Sequence, residues 1–167
     1  MIRNAYCSFC GAAFAPGQPW PRTCAACGNT SYLNPLPVAV TLLPVDDGLL
    51  VVRRDVEPRR GRLALPGGFI DLGESWQQAA VRELREETGV VAEAADVTLF
   101  DVVSAPDGTV LIFGLGPRVT ASALPPMEAT DETSEWLVID GPAELAFPAH
   151  TRMAAAYFSR RARRGPE

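Results

Sequence analysis

Lysine is absent: all 15 basic side chains of this 167-residue chain are arginine. That removes a phosphate loop built around a Gly-Lys step, Schiff-base chemistry and any lysine general base. Histidine is almost absent as well. His150 is the single one, so a mechanism needing two imidazoles is excluded, and acid–base work falls to carboxylates and to water held by a metal. No apolar run approaches the ~20 residues that span a bilayer. Met1-Ile2-Arg3-Asn4 leads into polar, cysteine-bearing sequence without a signal-type apolar segment. A cytoplasmic protein with no membrane partner is therefore expected. The formal net charge of −5 disfavours a sequence-independent grip on nucleic acid.

Cysteine is scarce but concentrated. Cys7-Ser8-Phe9-Cys10-Gly11 and Cys24-Ala25-Ala26-Cys27-Gly28 are two Cys-x-x-Cys-Gly knuckles, thirteen residues apart. The glycine after each pair permits the tight turn that points backbone N–H groups at thiolate sulfur. Paired and repeated, Cys7, Cys10, Cys24 and Cys27 suit a tetrahedral, structural Zn²⁺ better than two disulfides or a redox pair. A segment this short buries too little apolar surface to fold alone, so the metal is expected to supply its stability. Between the knuckles stand only Arg22 as a cation, with Phe14 and Trp20. That is a poor stacking-and-phosphate groove, and a docking or homodimerisation role is favoured instead.

With 47% hydrophobic and 21% charged residues the rest reads as an ordinary globular domain. We expect residues 1–34 to form the cysteine unit and 35–167 the main domain, joined around Asn34-Pro35-Leu36-Pro37. Val38–Val45 and Leu49–Arg53 read as the arms of a hairpin around Asp46-Asp47-Gly48. Residues 96–104 and 109–115 read as two strands around Ala105-Pro106-Asp107-Gly108, and 136–139 as another. Residues 150–164 have helical composition, with Met153, Ala156, Tyr157 and Arg160 spaced for one face. His150 and Thr151 open that helix, where a capping or core role is expected.

The densest chemistry lies at Gly67-Gly68-Phe69-Ile70-Asp71-Leu72-Gly73-Glu74 and the helix predicted over Ser75–Thr88, closed by Gly89. Trp76, Ala80 and Leu84 make its core stripe. Glu83, Glu86 and Glu87 fall on a neighbouring arc, with Arg82 one turn before Glu86. Like charges at these spacings cost about 0.2–0.5 kcal/mol per pair; a bound divalent cation reverses the sign. An oxygen-only site of this kind suits Mg²⁺ or Mn²⁺. A solvated acidic face is the other reading of such a helix. Upstream, Arg59, Arg60 and Arg62 form a basic loop, either solvated or placed to contact phosphate.

Counting from Gly68, five residues lead to Glu74 and seven more to Arg82-Glu83-Leu84-Arg85-Glu86-Glu87-Thr88-Gly89-Val90. This spacing resembles the complete Nudix box. The resemblance covers about residues 36–160 and implies an α/β fold, the Nudix α/β/α sandwich with a mixed sheet, preceded here by a small zinc ribbon as in the NADH pyrophosphatase-like group. It implies Mg²⁺-dependent hydrolysis of a nucleoside diphosphate linked to another moiety. By the same resemblance Glu83, Glu86, Glu87 and the Gly68 carbonyl are metal-ligand candidates, and Glu83 or Glu86 orients or deprotonates the water. Glu74 and Arg82 hold loop and helix in register behind them, and Glu132 or Glu135 is the candidate for a further carboxylate. No Ser-Gln-Pro-Trp-type signature follows the box; Gln18-Pro19-Trp20-Pro21 lies upstream of it. Pro106 stands near the place where ADP-ribose hydrolases carry a proline, yet serves equally as a turn residue. An NAD(H)- or ADP-ribose-like dinucleotide heads the substrate expectations, with a nucleotide-sensing protein lacking turnover as the alternative.

Overall fold

The structure, a computed structural model, describes residues 4–164. The chain divides into two compact units, Met1–Pro35 and Leu36–Glu167. In the first, each Cys-x-x-Cys pair closes a turn in which the glycine N–H returns to the first cysteine's carbonyl, Gly11 to Cys7 at 3.0 Å and Gly28 to Cys24 at 2.9 Å. Both glycines are left-handed, with φ of 75° and 73°, which is why glycine closes each knuckle. A two-residue ladder joins β1 (Arg22–Thr23) to β2 (Thr30–Ser31). Arg22 lies over Trp20, 4.4 Å from the ring centroid, and donates from Nε to the Gln18 carbonyl at 2.7 Å. The cation and the aromatic rings between the knuckles thus pack on one another.

The second unit runs β3 (Leu36–Leu42), β4 (Pro44–Val45), β5 (Gly48–Arg54), β6 (Leu63–Ala64), β7 (Gly67–Phe69), α1 (Trp76–Thr88), β8 (Thr98–Ser104), β9 (Thr109–Leu115), β10 (Thr133–Ile139) and α2 (Pro148–Arg164). One sheet is mixed, in the order β7-β3-β9-β8, with β3 and β9 parallel; the other is antiparallel, β10-β5-β4, with β6 also on β5. Strand side chains alternate between faces, and here both faces are buried. Val40 and Leu42 of β3 join Leu49, Val51 and Phe113 under Met153, Ala154 and Tyr157 of α2. On the other face Ala39 meets Ala79 and Ala80 of α1, while Leu43 and Leu50 meet Leu84. The sheets are sandwiched between the two helices, as the α/β/α expectation has it. Two buried faces also explain why β3 and β5 read as continuous apolar runs.

Val38–Val45 is not one hairpin arm. The strand breaks at Leu43, where the chain leaves the mixed sheet, and only Pro44–Val45 pairs with Gly48–Leu49. Proline is tolerated there because β4 is a short sheet edge. β10 begins three residues before the predicted start, since Thr133 pairs with Arg54 and Glu135 with Arg53 across the ladder. α2 begins at Pro148, two residues early, as suits a residue with preset φ and no N–H to lose. Its buried face carries Ala154, with Ala156 only half-buried.

Candidate active site and metal centres

The acidic helix is fixed at both ends by its own sequence. Ser75 Oγ accepts from Gln78 N–H at 3.2 Å while Gln78 Oε1 accepts from Ser75 N–H at 2.7 Å, a reciprocal capping box. At the far end Gly89, left-handed at φ 74°, returns its N–H to the Arg85 carbonyl at 2.8 Å. The three box glutamates straddle the helix's buried edge: Glu86 is exposed, Glu83 half-buried and Glu87 buried. Glu87 Oε2 accepts from Gly67 N–H at 2.8 Å, which ties α1 to β7.

Arg82 organises the cluster. It donates to Glu74 from Nη2 at 2.6 Å and Nε at 3.1 Å, and to the Phe69 carbonyl at 3.0 Å. From Nη1 it reaches Glu83 at 2.7 Å and Glu86 at 3.1 Å. Glu74 also accepts from Asp71 N–H at 2.8 Å, so one guanidinium ties the 69–74 loop to the helix. These contacts, Arg82 first and the Asp71 N–H second, hold Glu74 below the usual carboxylate range. Glu83 goes the other way, pushed up by burial against the pull of Arg82. Glu87 is pushed up to about 8, by burial first and by the neighbouring Glu83 and Glu132 charges, against the Gly67 hydrogen bond.

Gly68 lies against the Glu83 carboxylate: a Cβ there would stand 2.4 Å from Glu83 Oε1 and would push that side chain aside. Ile70 N–H bonds Pro37 O and Thr41 N–H bonds Pro66 O, so ladder alternation makes Ala39 and Gly68 a hydrogen-bonded pair. The Gly68 carbonyl therefore faces the ladder. The backbone groups of Gly67 and Phe69 turn outward, where they meet Glu87 and Arg82.

The two acidic residues outside the box separate. Glu132 is close enough for its charge to bear on Glu83 and Glu87. Glu135 is bonded to Arg53 Nε at 2.6 Å on the β5–β10 ladder. The basic loop also divides: Arg60 pairs with Asp55 at 2.8 Å, Arg62 with Glu144 at 2.7 Å, and Arg59 makes no ion pair among the described residues. Sequence reasoning missed Arg54 at the end of β5. It donates to the Pro58 carbonyl at 2.9 Å, lies 5.1 Å from the Phe147 ring centroid, and its charge acts on both Glu87 and His150. Its only signal was a pair of arginines closing an apolar strand. His150 is a core residue: Nδ1 accepts from Leu65 N–H at 3.2 Å between Phe113 and Phe147, and burial lowers it to about 3.

In the first unit the four cysteine sulfurs lie within 4.8 Å of one another. Cys7 and Cys27, like Cys10 and Cys24, are 3.7 Å apart. A disulfide needs about 2.05 Å, whereas four sulfurs at ~2.3 Å from a tetrahedral centre lie roughly 3.8 Å apart. The N–H groups of Phe9 and Cys10 lower the Cys7 thiol to about 6, and the Asn29 N–H and side chain lower Cys27. The cluster can hold a metal ion and is consistent with a zinc ribbon.

A mixed sheet between two helices, with Glu74, Arg82, Glu83, Glu86 and Glu87 gathered where β7 meets α1, defines a class, and the comparisons agree. The NUDIX domain profile matches residues 35–158, and the chain belongs to that family. It is 28% identical over 165 residues to the NAD-capped RNA hydrolase NudC of Pseudomonas aeruginosa, covering 95% of this chain and 57% of that one. It is 38% identical over 76 residues to the ADP-ribose pyrophosphatase of Methanocaldococcus jannaschii, covering 46% and 44%. A NUDIX hydrolase structure from Nitrosomonas europaea superposes with a TM-score of 0.76 at 25% identity, covering 96% of this chain and 94% of that one. The chain spans about half the length of these two curated relatives. Among the described residues no helix is long and apolar enough to cross a membrane.

Proposed function

We propose that this chain hydrolyses the pyrophosphate linkage of a nucleoside diphosphate joined to a second group, with an NAD(H)- or ADP-ribose-like dinucleotide as substrate and Mg²⁺ or Mn²⁺ as cofactor. The observation that carries this is the placement of Glu87 on the Gly67 N–H and of Glu83 beside Gly68, with Arg82 bridging Glu83 to Glu86. The donor set fits a hard divalent cation: Glu83 and Glu87 are both held above their ordinary pKa by burial first and then by neighbouring carboxylate charge, Glu86 and Glu132 on Glu83, Glu83 and Glu132 on Glu87, and a cation relieves both. Glu83, Glu86 and Glu87 would hold it together with a backbone carbonyl, for which Gly67 is better turned than Gly68. When bound, such an ion neutralises charge on the phosphate oxygens and acidifies water. Arg82 keeps Glu83 and Glu86 a fixed distance apart and leashes the glycine loop through Glu74. Glu83 or Glu86 then accepts the proton of the water that attacks phosphorus. Glu132 is the better placed of the two outlying carboxylates to join them. In the first unit, zinc on Cys7, Cys10, Cys24 and Cys27 is assigned a structural role, since four thiolates complete a tetrahedron.

The names of the relatives support the dinucleotide class. The rival reading, a nucleotide sensor, uses the same pocket without turnover, and one experiment separates them. The protein is incubated with Mg²⁺ and a panel including ADP-ribose, NADH and nucleoside triphosphates, and products are identified by chromatography. Hydrolysis at a pyrophosphate bond is expected, with kcat reduced about 100-fold or more by Glu86→Gln and left near the parent value by Glu135→Gln. Retained nucleotide binding with no product from any panel member would establish the sensor instead.

A further inference from the structure

A second concentration of charge lies in a cleft of about 460 Å³ between the 55–62 loop and the start of α2. Its lining brings together Arg59 and Arg62 of the loop and Arg152 of the helix, over a wall that includes Leu145, Ala146 and Pro148. We propose that this cleft is an anion pocket that receives a phosphate group of a nucleotide, gripped by Arg59, Arg62 and Arg152. The nucleotide class rests on the hydrolase reading; the anion site itself rests on the geometry.

Three guanidinium groups and one carboxylate, Glu144, line this concavity, so positive charge is in excess there. Among the described residues Arg59 and Arg152 have no carboxylate partner, whereas Arg60, in the same loop, is paired with Asp55. Arg62 meets Glu144 at 2.7 Å, but the Glu144 side chain is 81% exposed. A pair so open to water is weak and readily yields its guanidinium to a better acceptor. Phosphate is that acceptor, since its oxygens match the guanidinium fork two at a time. Arg59 also holds φ 71°, a left-handed conformation that non-glycine residues seldom adopt and that clusters at ligand sites. The apolar wall suits a ribose or base attached to the phosphate better than a bare ion, and the volume lies in the ordinary range for small-molecule sites, about 300–1,000 Å³. Arg152 stands ninety positions from Arg62 in the chain, so the sequence loop alone showed only part of this grip.

The phosphate has two possible sources: the outer phosphate of the substrate being hydrolysed, or a separate phosphorylated effector. Binding is tested without added magnesium or manganese, by calorimetric titration of the full chain with inorganic phosphate and with ADP. ADP binding is expected to weaken about tenfold in Arg59→Ala and in Arg152→Ala, the loss of one charged hydrogen-bonding partner. It should be unchanged in Glu86→Gln and no weaker in Glu144→Gln, which frees Arg62. Steady-state kinetics then separate the sources: Arg152→Ala raises KM if the cleft holds substrate and leaves KM unchanged if it holds an effector. Three outcomes would overturn the proposal. They are no binding of either probe by the parent, parent-like ADP binding in an Arg59→Ala/Arg152→Ala double variant, or loss of binding in Glu86→Gln, which would place the anion at the carboxylates. Absence of turnover with this binding intact would sink the hydrolase reading and leave the cleft standing.

Discussion

Among the residues, Glu87 bears the greatest tension between position and chemistry. It is 7% exposed, yet among the polar contacts of the described residues only the Gly67 N–H reaches its carboxylate. Burial without a cation favours the protonated form, hence a pKa of about 8 against roughly 4.3 in an unfolded chain. The folded-state value is raised, so the contribution to stability is fully present below the unfolded value. It is lost as pH rises through about 8. Stability of the metal-free protein should therefore decline between about pH 4.3 and pH 8, with a slope from this one group approaching 1.4 kcal/mol per pH unit. Urea unfolding across that window checks it. Glu87→Gln, whose amide oxygen can still accept from Gly67, should flatten the slope, and added Mg²⁺ should flatten it in the parent by favouring the ionised form. Identical slopes in parent and variant would show that Glu87 ionises freely.

Between elements, β7 is the tightest joint, and its two glycines do different work. A Cβ on Gly67 would lie 2.3 Å from the Ala39 carbonyl oxygen and 2.7 Å from Val40 Cα, both backbone atoms of β3. A Cβ on Gly68 would meet only the end of the Glu83 side chain, which can rotate away. Gly67→Ala should thus destabilise the fold by a few kcal/mol, in the manner of a core overpacking. Gly68→Ala should leave the melting temperature nearly unchanged while displacing Glu83 and lowering kcat. Thermal melts beside steady-state kinetics distinguish the two, and equal losses of stability would refute the division. How legible these elements were follows from the range of the interactions that make them. α1, its caps and the box carboxylates were readable because spacing within one helix fixes them. The Val38–Val45 hairpin arm was misread because a strand buried on both faces carries no mark of which sheet it joins, and the break at Leu43 depends on β9, some seventy residues on. The same distance hid the fates of Glu135 and Arg62, whose partners Arg53 and Glu144 each lie 82 positions away. The outward turn of Gly67 rather than Gly68 is set by register with β3, which no local pattern encodes.

At the scale of the whole molecule the two units differ in what holds them. The unit from Leu36 onward has a continuous core, with Val40, Leu42, Leu49, Val51 and Phe113 between sheet and helix. Within residues 4–35 the buried side chains are Cys7, Cys24 and Ser31, far too little apolar surface to offset the cost of ordering some thirty residues. A metal ion held by the four thiolates would supply folding free energy that the missing core does not. Stripping the metal with a strong chelator, or replacing a ligand by Cys10→Ser, should therefore unfold the first unit and leave the second intact. The checks are limited proteolysis, with new cleavage confined to residues 1–35, and the fluorescence of Trp20, which should lose its packing against Arg22 and Phe14. The main thermal transition, which reports the α/β/α core, should stay within a few degrees of the parent. A chelator that abolishes that transition along with the first would mean that the units fold as one cooperative block, with the cysteine site a keystone of the α/β/α core and not the staple of a small unit.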